Sequence, residues 1–179
     1  ELLPEDMRGC SKEAFEVLLK TKDAQLSDVI IDKAALEAMD KAAKMSKNQL
    51  LREYANHKIA QADIKIALRS EKTGQGYEFL DRALVASELL DIKELKAAAL
   101  SGEDAIHEYL SKTSFSDSVP YLKRSMWEFD KWCDDYFMEK LKPQKYNPFT
   151  LSPIIAYFLA RENEIKSIRI LLSGKRNLL

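Results

Sequence analysis

The sequence predicts an all-α protein, and three observations carry that prediction. Apolar residues recur at three- and four-residue spacing through most of the chain, cap-forming residues precede several of those runs, and no alternating run reads as a strand. The 179 residues are 46% hydrophobic and 32% charged, with only five Gly and five Pro. That composition suits a soluble, helix-rich unit with enough chain to bury a core, and it argues against disorder.

Taken in order, Ser11 opens a short helix expected to turn Ala14, Phe15, Leu18 and Leu19 inward, and a second helix from about Ser27 uses Val29, Ile30, Ala34, Leu36 and Met39. Ser46 and Gln49 have capping-box spacing, worth about 1 kcal/mol at the cap, and start a long helix expected to reach Lys72. Gly74-Gln75-Gly76 ends it. A helix over Tyr77 to Leu90 follows, then a second capping box at Asp91 and Glu94. Ser101 opens a third short helix, whose Glu103 and Asp104 suit the positive end of the helix dipole. After a loop from Thr113 to Ser118, Pro120 sits in the first turn of a helix carrying Leu122, Met126, Trp127, Phe129, Trp132, Phe137 and Leu141, which Pro143 breaks.

The last helix carries the most information. Ser152 is placed to cap it, Pro153 suits its first position, and Gly174 suits a left-handed closing residue. Between them Ile154, Phe158, Ile165, Ile168 and Leu172 form an apolar stripe roughly 30 Å long, expected to face the core. Arg161 falls in the same stripe. It must reach water, pair with Glu128, Glu162 or Glu164, or face a partner, because burying it alone costs several kcal/mol.

An internal echo links two helix pairs. Ile31-Asp32-Lys33 matches Phe129-Asp130-Lys131, and the run from Asp63 to Leu68 matches that from Ser167 to Leu172, with extra residues accommodated at Pro143 to Pro148. In this alignment His57 falls where Arg161 does, each a potential cation interrupting the stripe. The expected organisation is a helical repeat over 1–73, short connecting helices over 74–117 and a C-terminal helical repeat over 118–179, an array of the kind that works as a scaffold.

Several chemistries are disfavoured. Lys plus Arg number 28 against 29 Asp plus Glu, so the chain has no basic footprint for nucleic acid. Cys10 and Cys133 lack C-x-x-C spacing and read as two unpaired thiols in a reducing compartment. Glu53 with His57 and Glu103 with His107 are i, i+4 pairs, but two histidines without recurrent inward carboxylates read as surface pairs, with no metal expected. Gly74-Gln75-Gly76 lacks the Lys-Ser/Thr ending of a phosphate loop, and no nucleophile elbow is present, so neither a cofactor nor a small-molecule substrate is expected. The longest uncharged run, Tyr146 to Ala160, is too short for a membrane span of about 20 residues. No signal peptide is visible after Glu1, and the sequence reads as a fragment.

On Asn147-Pro148-Phe149, Pro153, Ala156-Tyr157, Leu159-Ala160-Arg161-Glu162, Glu164-Ile165, Ile168-Arg169 and Gly174-Lys175, the chain resembles the C subunit of prokaryotic V-type and A-type ATPases, related to the eukaryotic d subunit. The stretch from Tyr54 to Arg69 is similar to the equivalent helix of the preceding family repeat. Ser167 departs from a frequent Asn, and the match corresponds to roughly the C-terminal two-thirds of the family chain. The resemblance implies part of a funnel-like helical socket: a non-catalytic rotor subunit on the cytoplasmic face of the membrane, peripheral to it. Its partners would be the central shaft and the membrane rotor ring, and its task to couple ATP hydrolysis or synthesis to H⁺ or Na⁺ transport. Arg161, Glu162, Glu164, Arg169 and His57 become candidate structural or partner-interface residues. The competing expectation is a generic helical adapter that binds a partner helix and has no link to an ATPase.

Overall fold

The computed structural model describes residues 5–177, and among them every regular element is helical. In chain order these are α1 (Glu5–Thr21), α2 (Ala24–Met45), α3 (Gln49–Lys72), α4 (Tyr77–Ala83), α5 (Ile92–Ser101), α6 (Glu103–Leu110), α7 (Val119–Leu122), α8 (Met126–Leu141) and α9 (Ser152–Arg176), with 3-10 turns at Ser116–Ser118 and Lys142–Tyr146. The chain divides into two compact units, Glu1–Met126 and Trp127–Leu179.

The first unit is built around α3, which touches α2, α4, α5 and α6. Ile59, Ala60, Ile64 and Ala67 of α3 are fully buried, as are Leu80, Leu95, Ile106 and Leu110 from the surrounding helices. Such a helix must also bury polar residues, since its sequence is not apolar all round. Asn56, His57, Gln61, Asp63 and Ser70 are all inside.

Several helix boundaries differ from the periodicity reading, and the side chains expected to cap those helices take other partners. Ser11 does not open α1 but lies within it, its hydroxyl donating to the Arg8 carbonyl. On that helix Ala14 is buried, while Phe15 and Leu19 are 59% and 63% exposed, so the expected inward face is largely outward. Asp23, not Ser27, caps α2, accepting from the Leu26 N–H; Ser27 is buried and donates to the Ala14 carbonyl, tying α1 to α2. Asn48, not Ser46, caps α3. Ser46 instead donates to Ala43 at the end of α2, and Gln49 donates to Glu53. The end of α3 at Lys72 and the punctuation at Gly74, with φ of +67°, are as expected. The cap at Asp91 is also as expected, its carboxylate accepting from the Lys93 and Glu94 N–H groups.

The largest departure follows α4. The periodicity of Tyr77 to Leu90 predicts one helix, but the helix stops at Ala83 and the chain runs on without regular structure to α5. Side chains of α3 hold that stretch: Asp63 Oδ1 accepts the Val85 N–H and Asn56 Oδ1 accepts the Glu88 N–H, each at 3.1 Å. Residues 56 and 63 are two helical turns apart, so they present two acceptors along one side of α3. Ser101, expected to open the next helix, instead ends α5, and Gly102, whose φ of 121° lets the chain turn between two helices, precedes α6.

In the second unit, Phe129, Cys133, Phe137 and Leu141 repeat every fourth residue and form the buried face of α8. Trp127 is 59% exposed, contrary to its expected place in the core, and Trp132 stacks on Tyr136 with ring centres 5.1 Å apart. The expected single helix from Pro120 is two, α7 and α8, and Pro143 does end the second, in a 3-10 turn that packs against α9.

Candidate partner-binding faces

The last helix has more length and fewer local caps than its sequence suggests. Thr150 Oγ1 accepts the Ser152 N–H, Ser152 is already helical, and Gly174 lies inside the helix, which Asn177 closes. Helical φ/ψ at Gly174 means that the basic last turn, Lys175 and Arg176, continues the helix axis.

The stripe of Ile154, Phe158, Ile165, Ile168 and Leu172 is not core. These residues are exposed, with Phe158 at 72% and Ile168 least at 47%. The covered side of α9 is instead Ile155, Ala156, Leu159, Ala160 and Asn163. At about 100° per residue, the stripe lies within roughly 40° of one line, and Asn163 sits about 180° from it. One helix thus carries two apolar faces. The inner is supported by the 3-10 turn and by an ion pair from Lys166 to Asp134 of α8, and the outer is flanked by Tyr157, Glu164 and Leu171 on one side and by Glu162 and Arg169 on the other.

Arg161 lies in the outer stripe and pairs with Glu164 of the same helix, both side chains about half exposed, at 54% and 53%. An exposed i, i+3 pair contributes at most about 0.5 kcal/mol and locks no two helices together. Glu162 and Arg169 are exposed on the same helix. His57, the other candidate, lies in the first unit in a different environment: it is 3% exposed and its ring stacks on Phe115 with centroids 5.5 Å apart and planes 12° from parallel. It works as a packing ring between α3 and the segment after α6.

The candidate ligand pairs do not assemble. Glu53 accepts the Gln49 amide, and His107 Nε2 is 3.9 Å from Glu103, beyond hydrogen-bond reach. Among the described residues no group of three His, Cys, Asp or Glu is placed to hold a metal ion. Both cysteines are free thiols. An open cleft of about 510 Å³ beside α6 is lined by Glu71, Glu103, Asp104, His107 and Lys123. Burial holds the His107 imidazole below its ordinary pKa, so the ring is kept neutral.

Periodicity alone missed Asp63. Its side chain is fully buried, Oδ2 has no hydrogen-bond partner, and desolvation raises its carboxyl to about 7, against the smaller opposing pull of the Val85 N–H and Lys33. The available signal was a pair of short polar side chains seven residues apart on an otherwise buried helix face, which asks for backbone partners that are not in the helix.

No helix among the described residues is long and apolar enough to cross a membrane. A family model described as ATP synthase (C/AC39) subunit matches residues 2–179. The C subunit of the A-type ATP synthase of Methanocaldococcus jannaschii is 26% identical over 159 residues, 83% of this chain and 40% of that protein. The chain therefore spans less than half the length of this curated relative. No solved structure gives a significant match.

Proposed function

This chain belongs to the ATP synthase (C/AC39) subunit family, a family of non-catalytic subunits of the complex, and from that membership we propose that it is part of the rotor of a V/A-type ATPase. In this reading it joins the central shaft to the membrane rotor ring on the cytoplasmic face, peripheral to the membrane. It passes torque between them, coupling ATP hydrolysis or synthesis to H⁺ or Na⁺ transport. The family match over residues 2–179 is the observation that carries the reading. The similarity to the archaeal A-type protein supports it.

The architecture suits such a role physically. Torque transmission asks for low compliance, and close-packed interiors transmit strain instead of absorbing it. In the first unit the central helix is buried along most of its length, and its Asn56 and Asp63 side chains hold the adjoining irregular segment. In the proposed division, 1–73 and 118–179 are related helical repeats joined by the short helices of 74–117. His57 then serves packing in the first repeat, and Arg161, Glu162, Glu164 and Arg169 serve partner contact in the last. The generic adapter is the second reading, and the exposed outer face of α9 is the feature that favours it.

The deciding experiment is a pull-down of the tagged full-length protein from native membranes, with bound proteins identified and ATPase activity assayed in the eluate. Recovery of shaft, ring and ATPase-head subunits is the expected result. A clean full-length bait that brings down none of them sinks the rotor reading in favour of the adapter.

A further inference from the structure

Side chains, in place of a backbone ladder, fasten the connection between α4 and α5. The N–H groups of Val85 and Glu88 go to Asp63 Oδ1 and Asn56 Oδ1 of α3, each at 3.1 Å, and the Asp91 N–H goes to the Tyr109 hydroxyl at 2.8 Å. Leu84, Val85 and Leu90 are buried, whereas Ala86 and Glu88 are exposed, so solvent reaches the residue next to the Val85 bond. Two polar atoms at this junction are buried without a hydrogen-bond partner, Asp63 Oδ2 on α3 and Ser87 Oγ in the connection itself. A backbone held in this way stays in place only while each side-chain acceptor suits its surroundings.

We propose that Asp63 is a proton-operated catch: carrying a proton it holds residues 85–89 against α3, and on losing that proton to water it lets them lift away while α3 stays folded. The cause is the asymmetry of the carboxyl group. Oδ1 has the Val85 N–H, but an ionised group shares its charge with Oδ2, which has no donor. A neutral acid tolerates such a place far better than a carboxylate, and burial accordingly raises this carboxyl to about 7. Lifting residues 85–89 brings water to Oδ2 at the smallest loss of structure, because that stretch is neither helix nor strand.

The charged groups on the elements packed around α3 are engaged elsewhere. Lys33 of α2 donates to the Asp81 carbonyl at 3.2 Å, Lys96 of α5 pairs with the Asp81 carboxylate, and Arg52 pairs with Glu88 at 2.8 Å. Arg82 of α4 is exposed, and Glu103 and His107 of α6 line the cleft beside Glu71, about two helical turns beyond Asp63. Of these, Lys33 acts on Asp63, favouring ionisation less strongly than the Val85 N–H does. All of these groups lie in the first unit, and nothing in the device depends on the rotor reading.

The test is amide hydrogen exchange of the full chain from pH 5 to pH 8, read as protection factors for residues 85–90 and for residues 59–68 of α3. Opening releases the proton of Asp63, so protection is greatest in acid and is lost as pH rises toward the folded-state value of about 7. For 85–90 it is expected to fall about 50-fold between pH 5 and pH 7 and only about twofold further by pH 8, staying below that of α3 throughout. Asp63→Asn, which keeps an acceptor for Val85, removes this pH dependence. Lys33→Met, which withdraws the cation favouring ionisation, moves the levelling-off to higher pH. Protection of 85–90 that does not change with pH overturns the proposal. So does protection equal to that of α3 at every pH, because the connection then opens only when the whole unit unfolds, and so does a levelling-off that Lys33→Met leaves in place, because another group then titrates.

Discussion

Replacing Asp63 by Asn is expected to flatten the pH profile of stability and to stabilise the protein above neutrality. Asp63 is fully buried, accepts one N–H from Val85 at 3.1 Å, and leaves Oδ2 without a partner. Burial favours the neutral acid and places its pKa at about 7 in the folded protein against 3.8 as the ordinary value. Between those two values the folded state holds a proton that the unfolded state has released, so stability falls as pH rises. The contribution is full below about pH 4 and is lost through pH 7. A difference of about 3 units at 1.36 kcal/mol each makes the loss on the order of 4 kcal/mol across that window. Asn keeps an acceptor for Val85 and mimics the protonated acid, so the variant does not suffer this loss.

The assay is urea unfolding of both proteins at intervals from pH 4.5 to 8.5. Their difference should be small at the acid end and grow toward pH 8, with Asp63→Asn the more stable. Subtraction matters because other groups act in the opposite sense. His107 has a lowered pKa, so its contribution is present above the ordinary imidazole range and lost as pH falls through it. The lowered carboxyls of Asp81 and Glu108 likewise lose their contribution toward acid. All three are common to both proteins. Parallel pH profiles, or an Asn variant that is less stable at pH 8, would refute the reasoning.

Two backbone predictions accompany it. Gly102→Ala should destabilise by about 1–3 kcal/mol, because φ of 121° with ψ of 171° is a region open essentially to Gly alone, although a Cβ there meets nothing within 4 Å; thermal unfolding checks it. Asp91→Ala should cost about 1 kcal/mol by removing the acceptor of two N–H groups at the start of α5, read as a lower urea midpoint, with Asp91→Asn retaining most of the stability.

Legibility followed the range of the interactions. The all-α class, the reach of α3 to Lys72, the punctuation at Gly74 and the cap at Asp91 were readable because each rests on contacts within a few residues. Periodicity over Tyr77 to Leu90 described a helix that the chain does not form past Ala83, because Asp63 and Asn56, more than twenty residues upstream of Val85 and Glu88, offer those N–H groups partners outside a helix. For α9 the amphipathic stripe was read correctly as a stripe and wrongly as core. A hydrophobic period states that one side of a helix avoids water, whichever surface will cover it. The sequence by itself therefore determined the helical class, the helix ends that rest on local signals, and the family. Only the tertiary structure decided which apolar face serves the chain's own packing and which is left outward, because burial is a property of what else comes near, and no local pattern contains that.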